Sequence, residues 1–179
     1  IRLYKYDYSQ QGYYFVTICV NNNLSLFGQI RDENMCMNNA GEMIISRWKE
    51  LQNKFINIKI DDFVVMPNHF HGIIQIVGAD LCVRPQLNQP GRHAGRPLHQ
   101  MIQWFKTMTT NEYIKKVKRG DCKPFYQKLW QRNYYEHVVR DEEDLDRARE
   151  YIFQNPGRWD EEKEGGFKTV RHLPDVRNF

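Results

Sequence analysis

The pattern of apolar and polar positions changes period several times along the chain, and each change marks an element. Tyr13–Val20 (YYFVTICV) is dense in aromatic and β-branched residues and predicts a strand. Leu26–Ile30 and Glu33–Met37 predict a short hairpin beside it. Over Asn38–Phe55 the period lengthens, with Met43, Ile44, Trp48, Leu51 and Phe55 at helical spacing. Lys59–Met66 and Phe70–Val77 predict two more strands, separated only by a tight Pro67-Asn68-His69 connection. Gly78–Pro97 holds several Gly and Pro and predicts a loop. Leu98–Lys118 carries Leu98, Met101, Ile102, Phe105, Met108 and Tyr113 on a helical stripe. Tyr134–Val139 predicts a last strand. Asp141 is placed to cap a helix that runs to about Gln154, where Asn155-Pro156 stops it.

Leaving the hairpin aside, the order is β-α-β-β-α-β followed by one more helix. That is the ferredoxin-like arrangement within the α+β class: an antiparallel sheet with helices packed on one face. There is no internal repeat. The expected organisation is one domain over residues 1–156, with a loop insertion at about 78–97, and a charged tail over 157–179 that wraps the surface. A chain that opens on Ile1 is expected to lack its natural start.

Charge adds a local rather than a global signal. Lys and Arg number 26 against 22 Asp and Glu, a net charge of +4. Between Trp104 and Arg140, however, nine basic residues face three acids, a block suited to phosphate backbones or to a solvated helix face. The four cysteines, Cys19, Cys36, Cys82 and Cys122, form no CxxC pair, so neither a zinc ribbon nor a disulfide framework is expected. No apolar run reaches the roughly 18 residues of a membrane span, and no signal peptide is visible. The expected location is the cytoplasm.

Two places carry candidate chemistry. His69-Phe70-His71 opens a strand, and residues two apart on a strand point the same way. Both imidazoles can then converge on one ion while Phe70 packs behind them, although paired core histidines have the same spacing. On the last helix Tyr151 and Asn155 lie one turn apart on one face. Each has an ordinary reading, Tyr151 as a half-buried core residue and Asn155 as a helix C-cap. Together, on a helix laid across the sheet, they can bring an amide oxygen and a phenol to the histidines.

Three segments then become recognisable in order. Val65-Met66-Pro67-Asn68-His69-Phe70-His71 resembles the HUH motif of single-tyrosine transposases. Trp130-Gln131-Arg132-Asn133-Tyr134-Tyr135-Glu136-His137, with Arg140, resembles the segment ahead of the catalytic helix. Tyr151-Ile152-Phe153-Gln154-Asn155-Pro156 resembles the YI..NP signature of REP-associated tyrosine transposases. The resemblance covers about Tyr13 to Pro156. It implies a metal-dependent endonuclease and strand transferase acting on single-stranded or hairpin DNA, bound to the nucleoid when engaged. It also implies His69, His71 and Asn155 as metal ligands, Mg²⁺ or Mn²⁺ as the ion, and Tyr151 as the nucleophile of a 5′-phosphotyrosine intermediate. Monomer and homodimer both occur in such a family, and the sequence leaves the choice open.

DNA handling is assigned to mixed aromatic and basic positions: Trp104 and Lys106, the cluster Lys115, Lys116, Lys118 and Arg119, then Arg132, and in the loop Arg84, Arg92 and Arg96. His137 is a candidate general base by position, with a structural role as the other reading. Three alternatives remain open: a replication initiator or relaxase of the same superfamily, an HxH metallohydrolase, and a DNA-hairpin-binding protein without catalysis.

Overall fold

The computed structural model describes residues 7–77 and 98–159. The predicted loop at 78–97, with Arg84, Arg92 and Arg96, and the tail beyond residue 159 lie outside the described residues. In chain order the elements are β1 (Gly12–Cys19), β2 (Gly28–Arg31), β3 (Asn34–Met37), α1 (Asn39–Lys54), β4 (Ile58–Met66), β5 (His69–Ile76), α2 (Leu98–Lys118), β6 (Tyr135–Val138) and α3 (Glu142–Gln154), with one 3₁₀ turn at Asn21–Asn23.

Local chemistry sets the helix ends. The Asn38 side chain accepts from the Ala40 and Gly41 N–H groups at 2.9 and 3.1 Å, satisfying donors that the first turn of α1 leaves unpaired. Asp141 caps α3 through the Asp144 N–H at 2.8 Å, and three acids in that first turn complement the helix dipole. Gly120, at φ +81°, takes the left-handed conformation that ends α2. The connection between β4 and β5 is tighter than the sequence predicts, because His69 already belongs to β5.

β4, β5, β1 and β6 form one antiparallel sheet in that order, and β2 and β3 pair separately. This is the strand order of the ferredoxin-like fold expected from the element pattern. The two-residue period of the strands divides the sheet into two unlike faces. Tyr14, Val16, Ile18, Phe70 and Ile74 join buried residues of α1 and α2 in the main core. The alternate positions, Phe15 and Ile73, meet Leu145, Ala148 and Ile152 of α3 in a smaller second cluster. Helices α1 and α2 thus share one face, and α3 covers the other.

Gly72 allows the main core to approach β5. A Cβ there would stand 2.5 Å from Trp48 Cζ2, so the indole rests against bare backbone. Trp48 in turn packs on Phe70 and Phe105, with ring centroids 4.6 and 5.3 Å away. The strand that carries both histidines is therefore backed by a rigid aromatic layer.

Candidate active site

His69 and His71 project from β5 on the α3 side, and both are fully buried. Each ring is held through Nδ1. His69 Nδ1 lies 2.7 Å from Asn68 Oδ1, and Asn68 is oriented in turn by its own amide nitrogen, which donates to the Asn23 carbonyl at 3.4 Å. His71 Nδ1 lies 2.8 Å from Thr17 Oγ1 on β1, the residue directly opposite it in the ladder. The histidine rings sit 4.6 Å apart, edge to face. The Asn68 oxygen can only accept, which puts the His69 proton on Nδ1, while the Thr17 hydroxyl fixes the orientation of the His71 ring; the second nitrogen of each ring is left for the site.

Asn155 completes the arrangement. It is the C-cap of α3, its N–H bonding the Ile152 carbonyl, and its side chain is fully buried. His69 Nε2, His71 Nε2 and both polar atoms of the Asn155 amide are buried without a hydrogen-bond partner. Four orphaned polar atoms in one place are unusual, since nearly all buried polar groups are paired. Burial lowers the His69 pKa to about 4, with the nearby Asn155 side chain opposing part of that shift. Burial, with His69 beside it, also holds His71 well below its ordinary value. Both rings are then neutral at neutral pH, with lone pairs to donate. Among the described residues no group of three or more His, Cys, Asp or Glu could hold a metal. The donor set that fits an ion here is instead two imidazole nitrogens and one amide oxygen.

Tyr151 stands beside this set. Its ring lies 5.2 Å from His71 and 5.9 Å from Phe15, edge to face with both. Trp159, just past the helix, stacks on His69 at 6.0 Å and is itself buried. Two polar clamps at opposite edges of the sheet hold α3 in place. Arg149 binds Asp61 of β4, and Asp144 accepts from His137 of β6 at 2.7 Å. Burial raises the Asp144 pKa, but its hydrogen bonds from His137, Arg140 and Arg147 outweigh that and leave it lowered. His137 is therefore committed to Asp144, two helical turns before Tyr151, which is the structural reading of that residue.

The basic candidates fall elsewhere. Lys115, Lys116 and Lys118 occupy the last turn of α2 and Arg119 follows it, on the helix of the opposite face. Trp104 packs edge-on against Phe55 at the rim of the main core. Lys106 Nζ donates to the Gln131 and Arg132 carbonyls at 2.6 and 3.0 Å, bracing that segment, while Arg132 itself is exposed. Sequence reasoning missed Thr17, Asn68, Phe15, Trp159 and the Asp61–Arg149 pair. Only Asn68, adjacent to His69, carried a signal in the linear order.

No protein-family model matches the chain. An uncharacterised protein of Haemophilus influenzae is 35% identical over 169 residues, covering 91% of this chain and 90% of that protein. A second protein of that organism, named "Putative REP-associated tyrosine transposase", is 24% identical over 174 residues, covering 96% of this chain and 82% of its own length. Among solved structures, a REP-associated tyrosine transposase bound to a REP hairpin has a similar fold. Its TM-score is 0.54 at 15% identity, over 100% of this chain and 95% of that one. Among the described residues no helix is long and apolar enough to cross a membrane. In sequence the chain is related to a protein named as a putative REP-associated tyrosine transposase, and its fold is similar to that of a solved transposase of that kind.

Proposed function

We propose that this protein cleaves and rejoins single-stranded DNA beside hairpin elements, with Tyr151 as nucleophile and His69, His71 and Asn155 as ligands of Mg²⁺ or Mn²⁺. One observation supports the reading: His69 Nε2, His71 Nε2 and the Asn155 amide are buried without partners, and the Tyr151 ring lies 5.2 Å from that of His71. A relative with a REP hairpin bound supports the choice of substrate.

Tyr151 Oη attacks a backbone phosphorus, a P–Oη bond forms and the P–O3′ bond breaks. The phenol gives up its proton and the departing 3′ oxygen ends as a hydroxyl. The tyrosyl ester retains the phosphodiester's energy, so a second 3′-hydroxyl can displace Tyr151 and restore a DNA strand without a nucleotide cofactor. The ion, when bound, polarises the phosphoryl oxygen and balances charge in the transition state. His69 and His71 serve as neutral donors locked through Asn68 and Thr17. The buried Asn155 ties ligand geometry to nucleophile geometry through one helix turn.

The test is a labelled hairpin with single-stranded flanks, incubated with the protein and Mn²⁺ and run on a denaturing gel. A covalent adduct lost in EDTA is the expected result. Hairpin binding with no adduct under any divalent ion would leave a binding protein instead.

A further inference from the structure

A groove of about 1050 Å³ runs between α2 and the 127–135 segment, along the β6 edge of the sheet. From α2 it is lined by positions three and four apart, among them Gln103, Lys106 and Asn111, which form one helix face. The opposite wall is held in place by Lys106 and by Trp130, whose indole N–H donates to Thr109 at 2.9 Å. The groove wall is thus braced against α2 by side-chain hydrogen bonds, that of Trp130 buried.

Among the described residues no Asp or Glu lines it, and Lys128 and Arg132, exposed along its wall, pair with no acid. Side-chain amides, including Gln103, Asn111 and Asn133, supply donors and acceptors. Tyr134 and Tyr135 form the β6 end. Tyr135 stands opposite Thr17, and Thr17 opposite His71, so these three share one row on one face of the sheet. Two strand spacings, roughly 10 Å, separate the end of the groove from the histidines.

We propose that this groove binds an unpaired strand of DNA and leads it around the β6 edge to the histidine face. The proposal rests on the functional reading above and specifies how the strand reaches that site. Shape decides between single strand and duplex. Bases in a duplex are read by a convex element entering its groove, whereas this surface is concave. An unpaired strand offers phosphates to Lys128 and Arg132, base edges to the amides and base faces to the tyrosines. The lack of Asp and Glu among the described residues that line the groove removes there the repulsion a polyanion would meet.

The experiment uses the Tyr151→Phe protein in EDTA, so that binding is read apart from chemistry. Two fluorescent probes are titrated by anisotropy: a blunt DNA hairpin, and the same hairpin with single-stranded extensions on both ends. Lys128→Glu/Arg132→Glu should weaken binding of the extended probe about tenfold and leave the blunt hairpin within about twofold. Equal loss for both probes, or no loss for either, overturns the proposal. Photo-crosslinking with 4-thiothymidine in the extensions gives a second readout on the unaltered groove. Crosslinks within residues 99–111 or 127–135 support the path, and crosslinks confined to other segments overturn it. Failure of the wild-type protein to form an adduct would defeat the functional reading and leave these binding results intact.

Discussion

Arg149 on α3 grips Asp61 of β4 with two hydrogen bonds, Nε to Oδ1 at 3.2 Å and a terminal nitrogen to Oδ2 at 2.8 Å. Asp61 sits where the β4–β5 register shifts, between Ile60 and Phe63, so an irregular strand edge supplies the carboxylate. The guanidinium keeps the Asp61 pKa below the ordinary carboxylate value, against the effect of burial. The pair joins the sheet that carries the histidines to the helix that carries Tyr151. Asp61→Asn should therefore slow adduct formation about tenfold while hairpin affinity stays within twofold, and stability should fall by only about 1 kcal/mol because the pair is partly exposed. Equal losses in rate and affinity would show that the pair does not position α3.

Tyr151→Phe removes one oxygen and keeps the ring that packs on Phe15 and His71. The variant should form no adduct, bind the hairpin normally and change stability by about 1 kcal/mol or less. Peptide mapping of the wild-type adduct should place the DNA on residues 150–155. An adduct on Tyr134 or Tyr135 would identify a different nucleophile. Tyr135 is the informative rival, because it shares the face of His71.

His69 and His71 are wholly buried, so alanine in their place would also leave cavities of the kind that destabilise by about 2 kcal/mol or more. Glutamine keeps most of the volume. His71→Gln should lower Mn²⁺ affinity at least about tenfold in calorimetry and abolish the adduct, with the melting temperature showing that the fold persists. Unchanged Mn²⁺ binding in His69→Gln/His71→Gln would remove the metal from this site.

Acid should weaken the metal-free protein through these same rings. The folded His69 pKa lies near 4 against 6.5 for the ordinary group, so below pH 6.5 the unfolded chain takes up protons that the folded chain refuses. Stability is complete above pH 6.5 and falls as the pH drops toward 4, by on the order of 3 kcal/mol from His69 alone. His71, lowered for the same reason, acts in the same direction. Urea midpoints across that window measure the slope, and a flat profile would contradict the burial of the rings.

Gly72→Ala should lower stability by about 1–3 kcal/mol, because the added methyl meets the wholly buried Trp48 at 2.5 Å. Thermal melts of the variant give the number directly.

Much of this was legible in the linear order. Period changes located the helices and main strands, because each buries a stripe that must recur at 3.6 or 2 residues. The i and i+2 histidines and the i and i+4 tyrosine and asparagine encode their own faces. What the order did not carry was register. Thr17 can serve His71 only because β1 lies beside β5 with those residues opposite, and nothing near Thr17 announces that pairing. The Asp61–Arg149 pair spans 88 positions and depends on an irregularity in β4. The groove joins segments whose proximity follows from the strand order, and so it too was invisible beforehand.

The two sides of the sheet are unequally glued. Among the described residues, twenty-four buried apolar side chains make up the core beneath α1 and α2, and five make up the one beneath α3. Opening free energy follows buried apolar area, so α3 should detach as a subunit of its own while β1 and β5 stay closed. Amide hydrogens of residues 145–154 should exchange well before those of β1, at a rate that rises with salt as the edge clamps are screened. The tyrosine thus rides on the less anchored side of the sheet, and the lifetime of the assembled site is set by that local equilibrium rather than by the melting of the whole chain.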